Sequence, residues 1–262
     1  MKSTVLFALL LLVPCGALAA EGSSWPMKPF EPSPQDYPSL QRGFTLYVNY
    51  CLGCHALGYQ RYERTADDLK LPHDIVLDNL IFDGKQIGSL ITTAMPSEPA
   101  QKWFGVTPPD LTLVANLRGP GWVYNYLNAF YVDDSRPFGV NNKVFPNVAM
   151  PDVLLELQGI PKEACHQVPK HAPNGGEMRD PLVPGKAITE EKCGFIDVVE
   201  GTGKLTPAQY EQATYDITNF LYYVAEPTRH ERYHLGVYVL LFLVILYVFT
   251  ALLGREYNKE VH

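Results

Sequence analysis

The chain has 262 residues, 47% of them hydrophobic and 19% charged, with a formal net charge of −7 at neutral pH. That is enough apolar material for one globular core. The acidic balance argues against nucleic acid as a partner and favours a basic protein surface.

Residues 1–19 read as a secretory signal. Lys2 opens the segment, an apolar run covers residues 5–13, and Ala17-Leu18-Ala19 supplies a small-x-small cleavage pattern. Cys15 is a poor lipoprotein cysteine because Pro14, not a small residue, precedes it. Export would place residues 20–228 in an oxidising compartment.

Ser39 precedes Leu40, Phe44, Tyr47, Val48 and Cys51, spaced by three and four, which predicts a helix whose apolar face leads into Cys51-Leu52-Gly53-Cys54-His55. Two thiols three residues apart with a histidine directly after have the spacing of a c-type haem attachment site. The sulfurs can form thioethers to the vinyl groups of one haem, and His55 is then placed to ligate the iron. A Cys-x-x-Cys pair also serves thioredoxin-like centres and zinc clusters. Neither needs the adjoining histidine, and no second Cys-x-x-Cys completes a zinc site.

Glu63, Asp67 and Asp68 offer one acidic patch for a basic partner. Helical patterns follow at residues 109–117 and 120–130, each opened by a proline suited to a first turn. Trp103, Phe104 and Trp122 read as core aromatics. No run of alternating strands is visible.

The second axial position decides the chemistry. Left open, it admits gas or peroxide; filled by methionine, it favours electron transfer. Met27 near the mature terminus and Met178 in a polar stretch are poorly placed. Met95 and Met150 both sit in Ala-Met-Pro, where the following proline holds the methionine backbone extended. Met150, in an irregular stretch over residues 140–151 that can arch across the far face of a haem, is the better placed, and Met95 stays open.

Residues 161–203 read as an insertion, rich in proline, glycine and charge. With Cys15 assigned to the signal and Cys51 and Cys54 to haem, Cys165 and Cys193 remain as an even pair, and a disulfide is the simplest reading. Closing that loop would contribute about 3.5 kcal/mol in the chain-entropy model. His166 and His171 fit no common metal-cluster spacing.

Thr206 opens a second strong helix, with Pro207 at the first position, Gln209 closing a capping box, and Tyr210, Ala213, Ile217, Leu221 and Val224 along one face. The first and last helices are available to pack together. Pro227-Thr228 ends the soluble part, and residues 229–254 comprise a polar linker and a transmembrane anchor whose apolar run, 235–253, is long enough to cross a bilayer. Flanking charges are balanced. The signal therefore sets the orientation, with the head outside and the tail 255–262 in the cytoplasm.

These residues resemble cytochrome c1, the haem subunit of bacterial cytochrome bc1 complexes, over nearly the whole mature chain. The likeness rests on the Cys-x-x-Cys-His motif, Pro108-Pro109-Asp110-Leu111, Arg118, Tyr124, a later Ala-Met-Pro and one carboxy-terminal anchor. It implies that Cys51 and Cys54 hold one covalently attached haem c, that His55 and Met150 ligate iron, and that Arg118 pairs with a propionate. Tyr124 would donate a hydrogen bond near the propionates, and Pro108 and Pro109 would pack against the ring.

The expected fold is thus all-α: a class I cytochrome c-like haem domain with long loops, plus one carboxy-terminal transmembrane helix. The expected location is the inner membrane, single-pass, with the haem domain in the periplasm. The resemblance implies cytochrome b and a Rieske iron–sulfur protein as partners beside membrane lipid, and one electron passed from the Rieske protein to a c-type cytochrome. Three rivals share parts of the pattern: a membrane-tethered monohaem cytochrome of another respiratory complex, a haem peroxidase or gas sensor with an open iron site, and a chain that mainly anchors an assembly.

Overall fold

A computed structural model describes residues 25–171, 175–183 and 185–260; the expected signal at 1–19 lies outside them. Helix α1 (Tyr37–Tyr50) starts two residues before Ser39, because the Asp36 carboxylate accepts the Ser39 N–H at 3.1 Å and caps the first turn. Its buried face carries Leu40, Phe44, Tyr47 and Val48. Strand β1 (Leu57–Arg61), helices α2 (Tyr62–Asp68) and α3 (His73–Leu80), strand β2 (Leu90–Ile91) and helix α4 (Ser97–Phe104) follow. None of these is legible as periodicity. Each is short and draws its stability from packing rather than propensity.

Helix α5 (Val114–Leu117) is all that forms of the helix expected over 109–117. The Asp110 carboxylate accepts from the N–H groups of Gly58 (2.7 Å) and Thr112 (2.8 Å), and Leu111 N–H donates to the Ala56 carbonyl at 2.9 Å. A carboxylate bonding nearby backbone in this way competes with a helical turn and here straps the Pro-Pro-Asp segment to β1. Helix α6 (Pro120–Leu127) likewise stops short of the expected Phe130. The chain turns there into an antiparallel pair, β3 (Phe130–Val132) and β4 (Val140–Asn142), before the single turn α7 (Leu155–Gln158).

The stretch expected as an irregular insertion is instead a long hairpin, β5 (Pro161–Pro169) against β6 (Thr189–Val198), in register with Cys165 opposite Cys193. The two sulfurs are bonded. Most side chains of both strands are exposed, so nothing selects one face for the core and the sequence shows no alternation. With three two-stranded antiparallel sheets among the described residues, the all-α expectation does not hold.

Helix α8 (Pro207–Ala225) begins as expected, with both hydrogen bonds of the Thr206–Gln209 capping box formed. It crosses α1 closely. A Cβ on Gly43 would lie 2.1 Å from the Asp216 carbonyl oxygen, so only glycine permits this approach. Phe44 and Tyr47 pack on Phe220, with ring centroids 5.2 and 5.8 Å away. Asp216, 1% exposed, is held at the crossing by Ser39 Oγ (2.7 Å), Arg42 Nε (2.6 Å) and Gln212 Nε2 (2.9 Å). Burying a carboxylate is tolerable only with such a set of donors.

Helix α9 (Arg229–Glu260) is 32 residues long and exposes its apolar side chains all round. Among the described residues it is the one helix long and apolar enough to cross a membrane. At ~1.5 Å per residue it spans roughly 48 Å, more than a hydrocarbon core. The segment expected as a polar linker is already helical. Arg229 pairs with Glu226 at 3.0 Å and donates to Asn116 Oδ1 at 2.8 Å, fastening the start of the anchor to the head.

Candidate haem site

The end of α1 shapes the motif. Cys51 N–H donates to the Tyr47 carbonyl at 2.8 Å, Cys54 and His55 N–H groups both return to the Cys51 carbonyl, and Tyr47 Oη donates to the His55 carbonyl at 2.6 Å. This tight turn brings Cys51, Cys54 and His55 to the wall of one open, almost wholly apolar cavity. The Pro108-Pro109 segment and Ala149-Met150-Pro151 line the same cavity, with Tyr50, Phe104, Val106 and Val153.

Both thiols are free. Burial, with Cys54 adding to it, pushes Cys51 up to about 12, and burial raises Cys54 as well. A thioredoxin-like centre needs the reverse, a depressed thiol. Zinc fits no better: among the described residues, the one group of metal-type ligands is Cys165, Glu191 and Cys193, which contains the disulfide.

His55 is 9% exposed, and its Nδ1 lies 2.7 Å from the Pro109 carbonyl oxygen. A carbonyl only accepts, so Nδ1 carries the proton and Nε2 keeps its lone pair. Burial lowers the imidazole's proton affinity, against the smaller opposing effects of Pro109 and Asp110. A neutral ring oriented through its far nitrogen is the form that binds a metal.

Met150 lines the same cavity, and its Sδ accepts a hydrogen bond from Tyr126 Oη at 3.3 Å. Burial, with Asp152 nearby, pushes the Tyr126 hydroxyl above the usual tyrosine range. Met95 donates its own N–H to Thr93 Oγ1 and is not part of the cavity.

Two expected residues do not line the cavity. Tyr124 sits two positions from Tyr126, about 200° round helix α6, so the two face opposite ways. Its hydroxyl donates to Glu211 Oε1 at 2.9 Å and its ring packs on Phe30. Arg118 is exposed at the end of α5, its guanidinium 5.2 Å from the Trp122 ring centroid, outside the cavity wall. Trp122 in turn stacks on Tyr126 at 5.1 Å.

Of the expected core aromatics, Trp103 is 62% exposed, and Phe104 lines the cavity. The acidic patch is partly spent internally: Asp67 pairs with His73, and Asp68 takes Arg64 and the Tyr223 hydroxyl. Tyr126 escapes sequence reasoning, since nothing local distinguishes it from Tyr124, the other tyrosine of α6.

Free thiols, a neutral imidazole and a thioether around one apolar cleft, on a head continuous with a membrane-length helix, define a membrane-anchored c-type cytochrome. The Cytochrome C1 family matches residues 83–261, a segment that begins after the Cys-x-x-Cys-His motif. Over its full length the chain is 45% identical to cytochrome c1 of Allochromatium vinosum, covering 100% of both proteins. It is 37% identical to a protein named ammonia monooxygenase gamma subunit from Nitrosomonas europaea, covering 87% of this chain and 85% of that one. The mitochondrial cytochrome c1 haem protein of Kluyveromyces lactis is 26% identical, over 89% of this chain and 74% of its own.

The chain belongs to the cytochrome c1 family. It is accordingly an electron-transfer subunit of a cytochrome bc1 complex, anchored in the membrane and carrying one covalently bound haem c (heme c).

Proposed function

We propose that the haem is held by thioethers from Cys51 and Cys54, with His55 and Met150 as the two axial ligands. The observation that carries this reading is the convergence of all four side chains on one cleft almost free of polar groups. When bound, the haem supplies a one-electron couple, and no bond on the chain is made or broken. Pro109 orients His55 through its carbonyl. The apolar walls exclude water and set the dielectric around the couple. Arg118 sets its guanidinium over the Trp122 ring, and its fork can pair with a propionate.

The electron comes from a Rieske iron–sulfur protein and leaves to a c-type cytochrome. The chain is an inner-membrane, single-pass protein with its head in the periplasm and its carboxy terminus in the cytoplasm, seated beside cytochrome b and lipid. Residues 1–19 are the cleaved signal, and the Cys165–Cys193 bridge fits an oxidising compartment.

Purification from membranes tests the reading. Copurification with cytochrome b and a reduced spectrum unchanged by carbon monoxide are expected. A spectrum that shifts with carbon monoxide would instead favour an open-site enzyme or sensor, and copurification with other redox subunits alone would place the chain in a different assembly.

A further inference from the structure

The hydroxyl of Tyr126 is not free to wander. Its ring is clamped between Trp122, stacked at 5.1 Å and 12°, and Phe130, edge-on at 5.2 Å, while the Tyr126 carbonyl accepts from Asn142 Nδ2 at 2.8 Å. Phe130 and Asn142 are themselves directly paired across the β3–β4 ladder. Helix and sheet together therefore aim one O–H at one sulfur.

We propose that Tyr126 is the positioning residue of the Met150 thioether, fixing which sulfur lone pair is presented to the cleft and drawing electron density from the sulfur. A thioether has two lone pairs. With one engaged by the hydroxyl, the other remains for a metal, so a single configuration at sulfur is selected. A sulfur that has given density to a donor hydrogen stabilises the oxidised metal less, which raises the reduction potential. The inference rests on Met150 being the axial ligand.

The test compares the full-length haem-loaded protein, in its complex, with Tyr126→Phe and Phe130→Leu. Tyr126→Phe keeps the ring and removes only the donor. It is expected to retain stoichiometric haem, to lower the midpoint potential, and to make added imidazole displace the thioether from ferric iron only at a concentration higher by on the order of fivefold, the worth of one ordinary hydrogen bond. The ferric proton spectrum should show the ligand methyl exchanging between two configurations.

Phe130→Leu loosens the clamp but keeps the hydroxyl, so it should shift the potential less. An unchanged potential and unchanged imidazole competition in Tyr126→Phe would overturn the proposal, as would an equal shift in both variants. If the wild-type protein lacks the thioether-to-iron charge-transfer band, the ligand assignment itself fails, which is read before any variant is compared.

Discussion

His55 Nδ1 lies 2.7 Å from the carbonyl oxygen of Pro109, 54 residues further along the chain. That carbonyl is held in place by Asp110, whose carboxylate grips the Gly58 N–H at 2.7 Å, so the motif and its orienting group are fastened to the same strand. Pro109→Gly leaves the carbonyl but frees its backbone. Stability should fall by about 1 kcal/mol through the more flexible unfolded chain. The midpoint potential should rise, because a looser hydrogen bond makes the imidazole a weaker donor to oxidised iron. Denaturant titration and potentiometry read the two effects separately, and a potential unmoved by the change would detach Pro109 from the site.

Met150 lines the cavity and Met95 does not, although both sit in Ala-Met-Pro. Met150→Leu should open the iron to carbon monoxide and abolish the thioether-to-iron band, and Met150→His should lower the potential. Met95→Leu should leave spectrum and potential unaltered. A carbon monoxide-sensitive Met95→Leu protein would exchange the two assignments.

The α1–α8 crossing should be intolerant of change. Gly43→Ala would press a methyl against backbone that cannot retreat, at 2.1 Å, and should cost about 3 kcal/mol or more, seen as a lower denaturation midpoint at unchanged slope. Arg42→Ala leaves Asp216 buried with only neutral side-chain donors, Ser39, Gln212 among them, and should cost about 2–4 kcal/mol. Arg42 is itself half-exposed, so Arg42→Lys should recover part of that loss.

The hairpin should be separable from the redox site. Among the described residues, none between 161 and 203 lines the cavity. Replacing Cys165 and Cys193 together by serine should lower stability by up to about 3.5 kcal/mol and speed proteolysis in the hairpin. Haem content and midpoint potential should stay at their wild-type values; a changed potential would show that the hairpin reaches the cofactor.

Local chemistry was readable along the chain wherever it is carried by near neighbours. The Cys51–His55 spacing, the Thr206–Gln209 cap and the apolar run of 235–253 each depend on residues within a few turns of one another, so their meaning survives without knowledge of the fold. The Asp36 cap and the early start of the anchor helix shift boundaries only slightly.

Packing settled the rest. Which methionine faces the cleft, why Tyr126 and not Tyr124 stands beside it, and which carbonyl holds His55 all depend on segments brought together from far apart. Any residue offers a backbone carbonyl, so its identity could not have marked Pro109 as the partner of an imidazole. The hairpin was hidden for the opposite reason: its ladder of backbone bonds needs no apolar pattern, and both its faces meet water.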